Sequence, residues 1–159
     1  MHADTHPSTL MLVPPPLLFV VTFLAGAGLQ HALPITVRSA MIVRVDHALG
    51  TALLAVGLLL ALGCLVMFLR GRTTIVPHRG ASRLVTSGPY RFTRNPMYLS
   101  LVVTYLGVAV LTGMFWPLVL LPLPVLAMDR LVIPYEEKSL RAGFGEVCEE
   151  YFARVRRWL

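Results

Sequence analysis

Charge is what this chain has least of. Only 14% of its 159 residues are charged, while 56% are hydrophobic. An ordinary soluble domain carries roughly 25% charged residues. The scarcity excludes a soluble globular domain and leaves the membrane class. No long polar stretch is left to build a second, water-facing domain. Cysteine is scarce too. Cys64 in an apolar run and Cys148 in the tail make neither a disulfide framework nor a metal-ligand spacing, so both read as packing residues. His31, His47 and His78 are isolated, and no metal is expected. The N-terminus lacks the basic flank and small-residue cleavage site of a signal peptide. Its first apolar run therefore reads as a retained membrane helix. The apolar runs hold almost no ionisable residue and no internal repeat, which argues against a transporter.

What the chain does have is long apolar runs, and four of them read as spans. The first covers about Leu12 to His31, entered through Pro14, Pro15 and Pro16, which a first helical turn tolerates. The second covers about Asp46 to Leu69, with Asp46 as cap and Gly50, Gly57 and Gly63 facing a neighbouring helix. Gly26 and Gly28 offer the same close approach in the first. The third opens at Asn95-Pro96, a cap followed by a favoured first helical residue. It reaches Leu111, roughly 24 Å at about 1.5 Å per residue, short of the roughly 30 Å hydrocarbon core. Thr112 to Pro117 reads as a tight turn. The fourth span covers Pro117 to about Ile133, kinked by Pro122 and Pro124. Its helix continues to Arg141 and is ended by Gly143 and Gly145. A short amphipathic helix follows, with Val147, Tyr151 and Val155 on one stripe.

The expected fold is all-α and integral to the membrane. It has about four transmembrane helices, a hairpin of the third and fourth, and a cytosolic C-terminal amphipathic helix. One domain covers 1–159, with 1–11 flexible and a long polar loop over 70–95. A fifth short segment within 34–45 stays open. The net charge of +6 reflects topology rather than nucleic acid. Every lysine and arginine except Arg38 and Arg44 falls on the side of the N-terminus, the 70–95 loop and the tail. By the positive-inside rule that side is cytoplasmic, as for a protein of the bacterial inner membrane.

Polar residues concentrate in two clusters. Ser87 to Tyr98 reads SGPYRFTRNPMY, and Tyr135-Glu136-Glu137-Lys138 follows the last apolar run. A hairpin of the third and fourth spans brings Asn95 and Tyr98 close to the stretch from Arg130 to Glu137. A helix N-terminus with nearby arginines favours a carboxylate, and a pair of carboxylates favours a cation. Together they suit a zwitterion of amino-acid form.

In order along the chain stand Leu84 to Tyr90, Arg94-Asn95-Pro96-Met97-Tyr98, Glu136-Glu137, Phe144-Gly145, Tyr151 and Val155-Arg156-Arg157-Trp158. This series resembles the isoprenylcysteine carboxyl methyltransferase and phospholipid methyltransferase superfamily, over about 73–158. The resemblance implies S-adenosylmethionine as methyl donor, S-adenosylhomocysteine as product, and 73–158 as the cofactor-binding core. It implies cofactor contacts at Tyr90, Arg94, Asn95, Pro96, Tyr98, Glu136 and Glu137, with Arg157 and Glu137 at the chemistry. Thr73, Thr74, Pro77 and His78 would line a substrate entrance. Three positions depart from the eukaryotic pattern: Asn95 in place of histidine, Cys148 in place of tyrosine, and Arg156 in place of proline. The first leaves the acceptor open among a carboxylate, a thiol and an amine.

The reading is thus an integral membrane methyltransferase whose lipophilic substrate enters from the bilayer, with membrane lipids as its other partners. The alternative is a non-catalytic small membrane transporter or assembly protein.

Overall fold

The computed structural model describes residues 14–35, 40–71 and 84–159. Every regular element among them is helical: α1 (Pro15–Ala32), α2 (Ala40–Gly71), a 3-10 turn (Gly88–Arg91), α3 (Pro96–Thr112), α4 (Phe115–Phe144) and α5 (Glu146–Arg154). Three helices are long and apolar enough to cross a membrane: α1, α2 through its His47–Leu69 stretch, and α4. The fourth apolar helix, α3, is shorter at 17 residues. Leu24, Val56, Leu59 and Leu69 are among the large side chains that α1 and α2 turn outward. Continuous apolar surface of that kind marks contact with lipid or a partner.

Helices α2 and α3 run antiparallel at very close range, and glycine is the reason. A Cβ on Gly57 would lie 2.7 Å from the Thr104 nitrogen, and one on Gly107 would lie 2.6 Å from the Leu54 nitrogen. Gly50 meets Leu111 in the same way. Apolar burial gives helices little reason to associate within lipid, so close van der Waals contact has to supply it. Gly63 only touches Pro89 at 3.8 Å. Helix α1 packs antiparallel to the first half of α4, where Gly26 lets the Pro117 backbone approach; Gly28 faces open space. Tyr105 of α3 joins the two pairs. Phe19 and Phe23 meet its ring edge-on, and its hydroxyl donates to the Pro117 carbonyl at 2.9 Å.

The expected turn over Thr112 to Pro117 is tighter in the structure. Gly113, at φ +62°, reverses the chain, and α4 already starts at Phe115. Met114 cannot cap that start, and a side chain from α1 does so instead. Gln30 Oε1 accepts the N–H groups of Phe115 and Trp116 at 3.0 and 3.4 Å. The Trp116 indole in turn donates to the Leu33 carbonyl at 2.8 Å.

Helix α4 is irregular where its prolines fall. Pro122 and Pro124 have no N–H to give, and the Val125 nitrogen reaches the Leu121 oxygen only at 3.5 Å. Met128–Val132 then form a π turn, closed by Ile133 N–H donating to the Met128 carbonyl. Pro134 cannot bond back to Arg130, so the ladder slips by one residue just before it. The helix runs through Gly143 and ends at Gly145, at φ +53°, so Gly143 is not the stop the sequence suggested. Helix α5 keeps Tyr151 of the expected stripe on its buried face but differs at the other two positions. It buries Cys148 and Tyr151, leaves Val147 exposed, and ends before Val155, which is extended.

These antiparallel pairings place the start of α1, the end of α2, the start of α3 and the end of α4 at one end of the molecule. Residues 1–11, Thr73, Thr74, Pro77 and His78 lie outside the described residues. Within 34–45, α2 already begins at Ala40.

Candidate active site at the polar helix ends

The segment entering α3 is shaped by Gly88, whose positive φ of +60° opens the 3-10 turn. Tyr90 then lies edge-on to Phe68 at the end of α2, 5.9 Å between ring centres. Its carbonyl accepts the Tyr151 hydroxyl at 2.8 Å. Burial pushes the Tyr90 phenol above its usual range and raises that of Tyr151 to about 12. Both phenols therefore keep their protons to higher pH than an exposed tyrosine does.

Thr93, Arg94 and Asn95 hold the C-terminal tail by their backbone and side chains. Arg94 N–H donates to the Arg156 carbonyl at 2.9 Å. The Arg157 carbonyl accepts both Thr93 Oγ1 at 3.1 Å and Asn95 Nδ2 at 2.9 Å. This corrects one expectation. Asn95 stands at the cap position of α3, but its side chain makes no capping bond. It reaches the tail, 62 residues away in sequence. Pro96, fully buried, starts the helix as expected.

The tail delivers Arg157 to a buried acid. Glu137 is only 6% exposed. Arg157 approaches it through two nitrogens, Nε at 3.1 Å and Nη2 at 2.8 Å. Arg94 Nη1 reaches the same carboxylate at 3.1 Å. The two-point contact is the strong geometry for this pair, and the hydrogen bond to Glu137 raises the Arg157 pKa further. Arg94 also lies over the Phe152 ring at 4.4 Å, a favourable cation–aromatic contact. Its Nε is buried with no hydrogen-bond partner among the described residues. Beside this cluster, the Tyr98 hydroxyl donates to Glu136 Oε1 at 2.6 Å, the short length of a bond to an ionised acceptor.

The structure therefore brings Arg94, Asn95, Tyr98, Glu136, Glu137 and Arg157 together at one end. Tyr90 sits at the margin, joined through Tyr151. Three contributors were not singled out from sequence: Thr93, Asp129 and Phe152, while Trp158 was named only within the terminal motif. Asp129 had a signal, since it is an acid within an otherwise apolar run. It accepts the Trp158 indole N–H at 3.0 Å and Arg157 Nη1 at 3.4 Å. The roles of Thr93 and Phe152 are recognisable only once the tail is seen to fold back.

Three helices of membrane-crossing length, with a compact set of buried ion pairs at one end, define an integral membrane protein with a polar site at the helix ends. The chain belongs to the phospholipid methyltransferase family, whose sequence model matches residues 45–147. The match covers α2 from residue 45 onward, α3 and α4, and stops at the start of α5, so Arg157 and Trp158 lie beyond it. No curated protein and no solved structure matches the chain.

Proposed function

We propose that the protein transfers a methyl group from S-adenosylmethionine to a lipophilic acceptor reached from the bilayer, with a phospholipid headgroup amine as the leading acceptor. Membership of the phospholipid methyltransferase family carries this reading, and the chemistry of the polar end supports it. The donor set fits an amino-acid headgroup. Arg94 and Arg157 are fixed guanidiniums that suit its carboxylate, and the buried Nε of Arg94 has a proton to donate. Glu136 and Glu137 suit an ammonium or ribose hydroxyls. The first-turn N–H groups of α3, which lack partners within a helix, add donors beside them.

When bound, S-adenosylmethionine supplies a methyl group already activated on a sulfonium, so alignment and exclusion of water are the protein's main tasks. Glu137 holds Arg94 and Arg157 in register, and Arg157 and Arg94 orient anionic groups. Tyr98 keeps Glu136 directed at the site. Tyr90, Asn95 and Pro96 form the wall between α2 and the tail. The proton of an amine acceptor passes to Glu136, since Glu137 is engaged by the two arginines; a carboxylate or thiolate acceptor needs no base. In this reading α3 is a fourth crossing, and the polar end faces the cytoplasm, where the basic residues concentrate.

The test uses membranes containing the protein and methyl-labelled S-adenosylmethionine. Label should appear in the organic extract, stay non-volatile after mild base as an N-methyl group does, and fall to background with Arg157→Ala. Label released by mild base as volatile methanol would mark a methyl ester and move the acceptor to a carboxylate. No label above that of protein-free membranes would defeat the proposal.

A further inference from the structure

We infer that Asp129 is a positioning residue for this site: its carboxylate, set in the π turn of α4, holds Arg157 and Trp158 and so closes the tail onto Glu137. The inference rests on the functional reading above. Its observations are separate. An acid within a helix of membrane-crossing length is costly and needs a local purpose. The π turn over Met128–Val132 widens the helix at this acid, and such turns recur at functional sites. One carboxylate oxygen, Oδ1, then takes both the Trp158 indole N–H at 3.0 Å and Arg157 Nη1 at 3.4 Å. The Arg130 contact to the other oxygen, at 3.6 Å, comes from a side chain that is 77% exposed, and exposed pairs of that kind hold little.

Geometry makes the arrangement a clasp. The backbone of the tail is fixed on one side, by Thr93, Arg94 and Asn95. Its side chains are fixed on the other, by Glu137 and Asp129. Glu137 takes Nε and Nη2 of Arg157, and Asp129 takes the remaining nitrogen, so the guanidinium plane has no freedom to turn. Without Asp129, the Glu137 contact persists, but the Trp158 indole N–H and the outer edge of the guanidinium lose their acceptor, and Trp158 is held by core packing alone. Binding that depends on a preset guanidinium weakens when the guanidinium must be ordered on binding.

The chain has two tryptophans, and Trp116 bonds Leu33 at the opposite end. A Trp116→Phe parent therefore makes Trp158 a reporter of the clasp. Asp129→Ala and the milder Asp129→Asn are compared with this parent in detergent, by acrylamide quenching of Trp158 and by calorimetric titration of S-adenosylhomocysteine. The expected result is stronger quenching and roughly tenfold weaker binding in Asp129→Ala. Asp129→Asn, which keeps an acceptor for the indole, should retain near-parent quenching yet still bind more weakly. Unchanged binding in both variants, with the parent binding normally, overturns the positioning role alone. A folded parent that does not bind overturns the functional reading and this inference with it.

Discussion

Glu137→Ala should be the most destabilising single change at the polar end. The carboxylate is 9% exposed at its side chain and accepts three N–H contacts, one from Arg94 at 3.1 Å and two from Arg157 at 3.1 and 2.8 Å. Removing it does not affect the two arginines equally. Arg157 is 33% exposed and keeps Asp129. Arg94 is 16% exposed, already has an Nε without a partner among the described residues, and loses Glu137. Breaking a buried pair by deleting one member costs roughly 3–5 kcal/mol. Water screens the exposed share of Arg157, so about 3 kcal/mol is expected here. Glu137→Gln keeps the shape and one acceptor and should cost about half of that. Arg157→Ala should cost about 1 kcal/mol, because Arg94 still satisfies the acid. Reversible denaturant unfolding in mild detergent, followed by circular dichroism, measures all three. A Glu137→Ala variant within about 0.5 kcal/mol of wild type, the size of an ordinary surface effect, would refute the reasoning, as would an inverted order.

Three further outcomes follow from the packing. Gly57→Val should destabilise by about 2 kcal/mol or more, because a Cβ there meets the Thr104 backbone at 2.7 Å. Gly28→Ala, with open space around it, should be neutral or slightly stabilising in the same unfolding assay; equal effects at the two sites would contradict the close α2–α3 contact. Gln30→Ala should cost about 1 kcal/mol, as loss of a helix cap does, since Phe115 and Trp116 lose their acceptor. Stability unchanged in that variant would remove the capping role. The Tyr151 phenol is raised to about 12 by burial, against about 10 in an unfolded chain. The folded protein keeps a proton that the unfolded chain sheds, so this contribution is complete below about pH 10 and lost as pH rises toward 12. Tyr151→Phe should therefore flatten the fall of Tm over that interval, and an equally steep fall would count against it.

Much of this arrangement is legible in the sequence, and the rest is hidden for physical reasons. Composition and run length reveal α1, α2, α3 and the first half of α4 because these stretches are apolar nearly all round. The Asn95-Pro96 dipeptide marks the start of α3 to the residue, since proline at a first helical position is a local rule. The direction of the Asn95 side chain is not local. Capping and a carbonyl on the tail compete for it, and the tail wins. Gly50 and Gly57 announce a close neighbour, but nothing in their spacing says which helix it is. The partner of α4 is hidden too: its first half packs on α1, through Gly26 and Gln30, while its far end meets α3 through Glu136 and Tyr98. The π turn depends on Pro134 as well as on the prolines upstream, and it is the turn that gives Asp129 its place. The stripe on α5 holds at Tyr151 but not at Val147, because Gly145 resets the helix start and turns Cys148 inward in its place.

The central claim is that the polar helix ends bind S-adenosylmethionine. Calorimetric titration of S-adenosylhomocysteine into the detergent-purified protein, with Glu136→Ala, Glu137→Gln and Arg157→Ala alongside, tests it most directly. The account predicts saturable one-site binding, lost or weakened at least tenfold in Arg157→Ala and in at least one glutamate variant. A folded wild-type protein that takes up no ligand, or binding indifferent to all three substitutions, would contradict it.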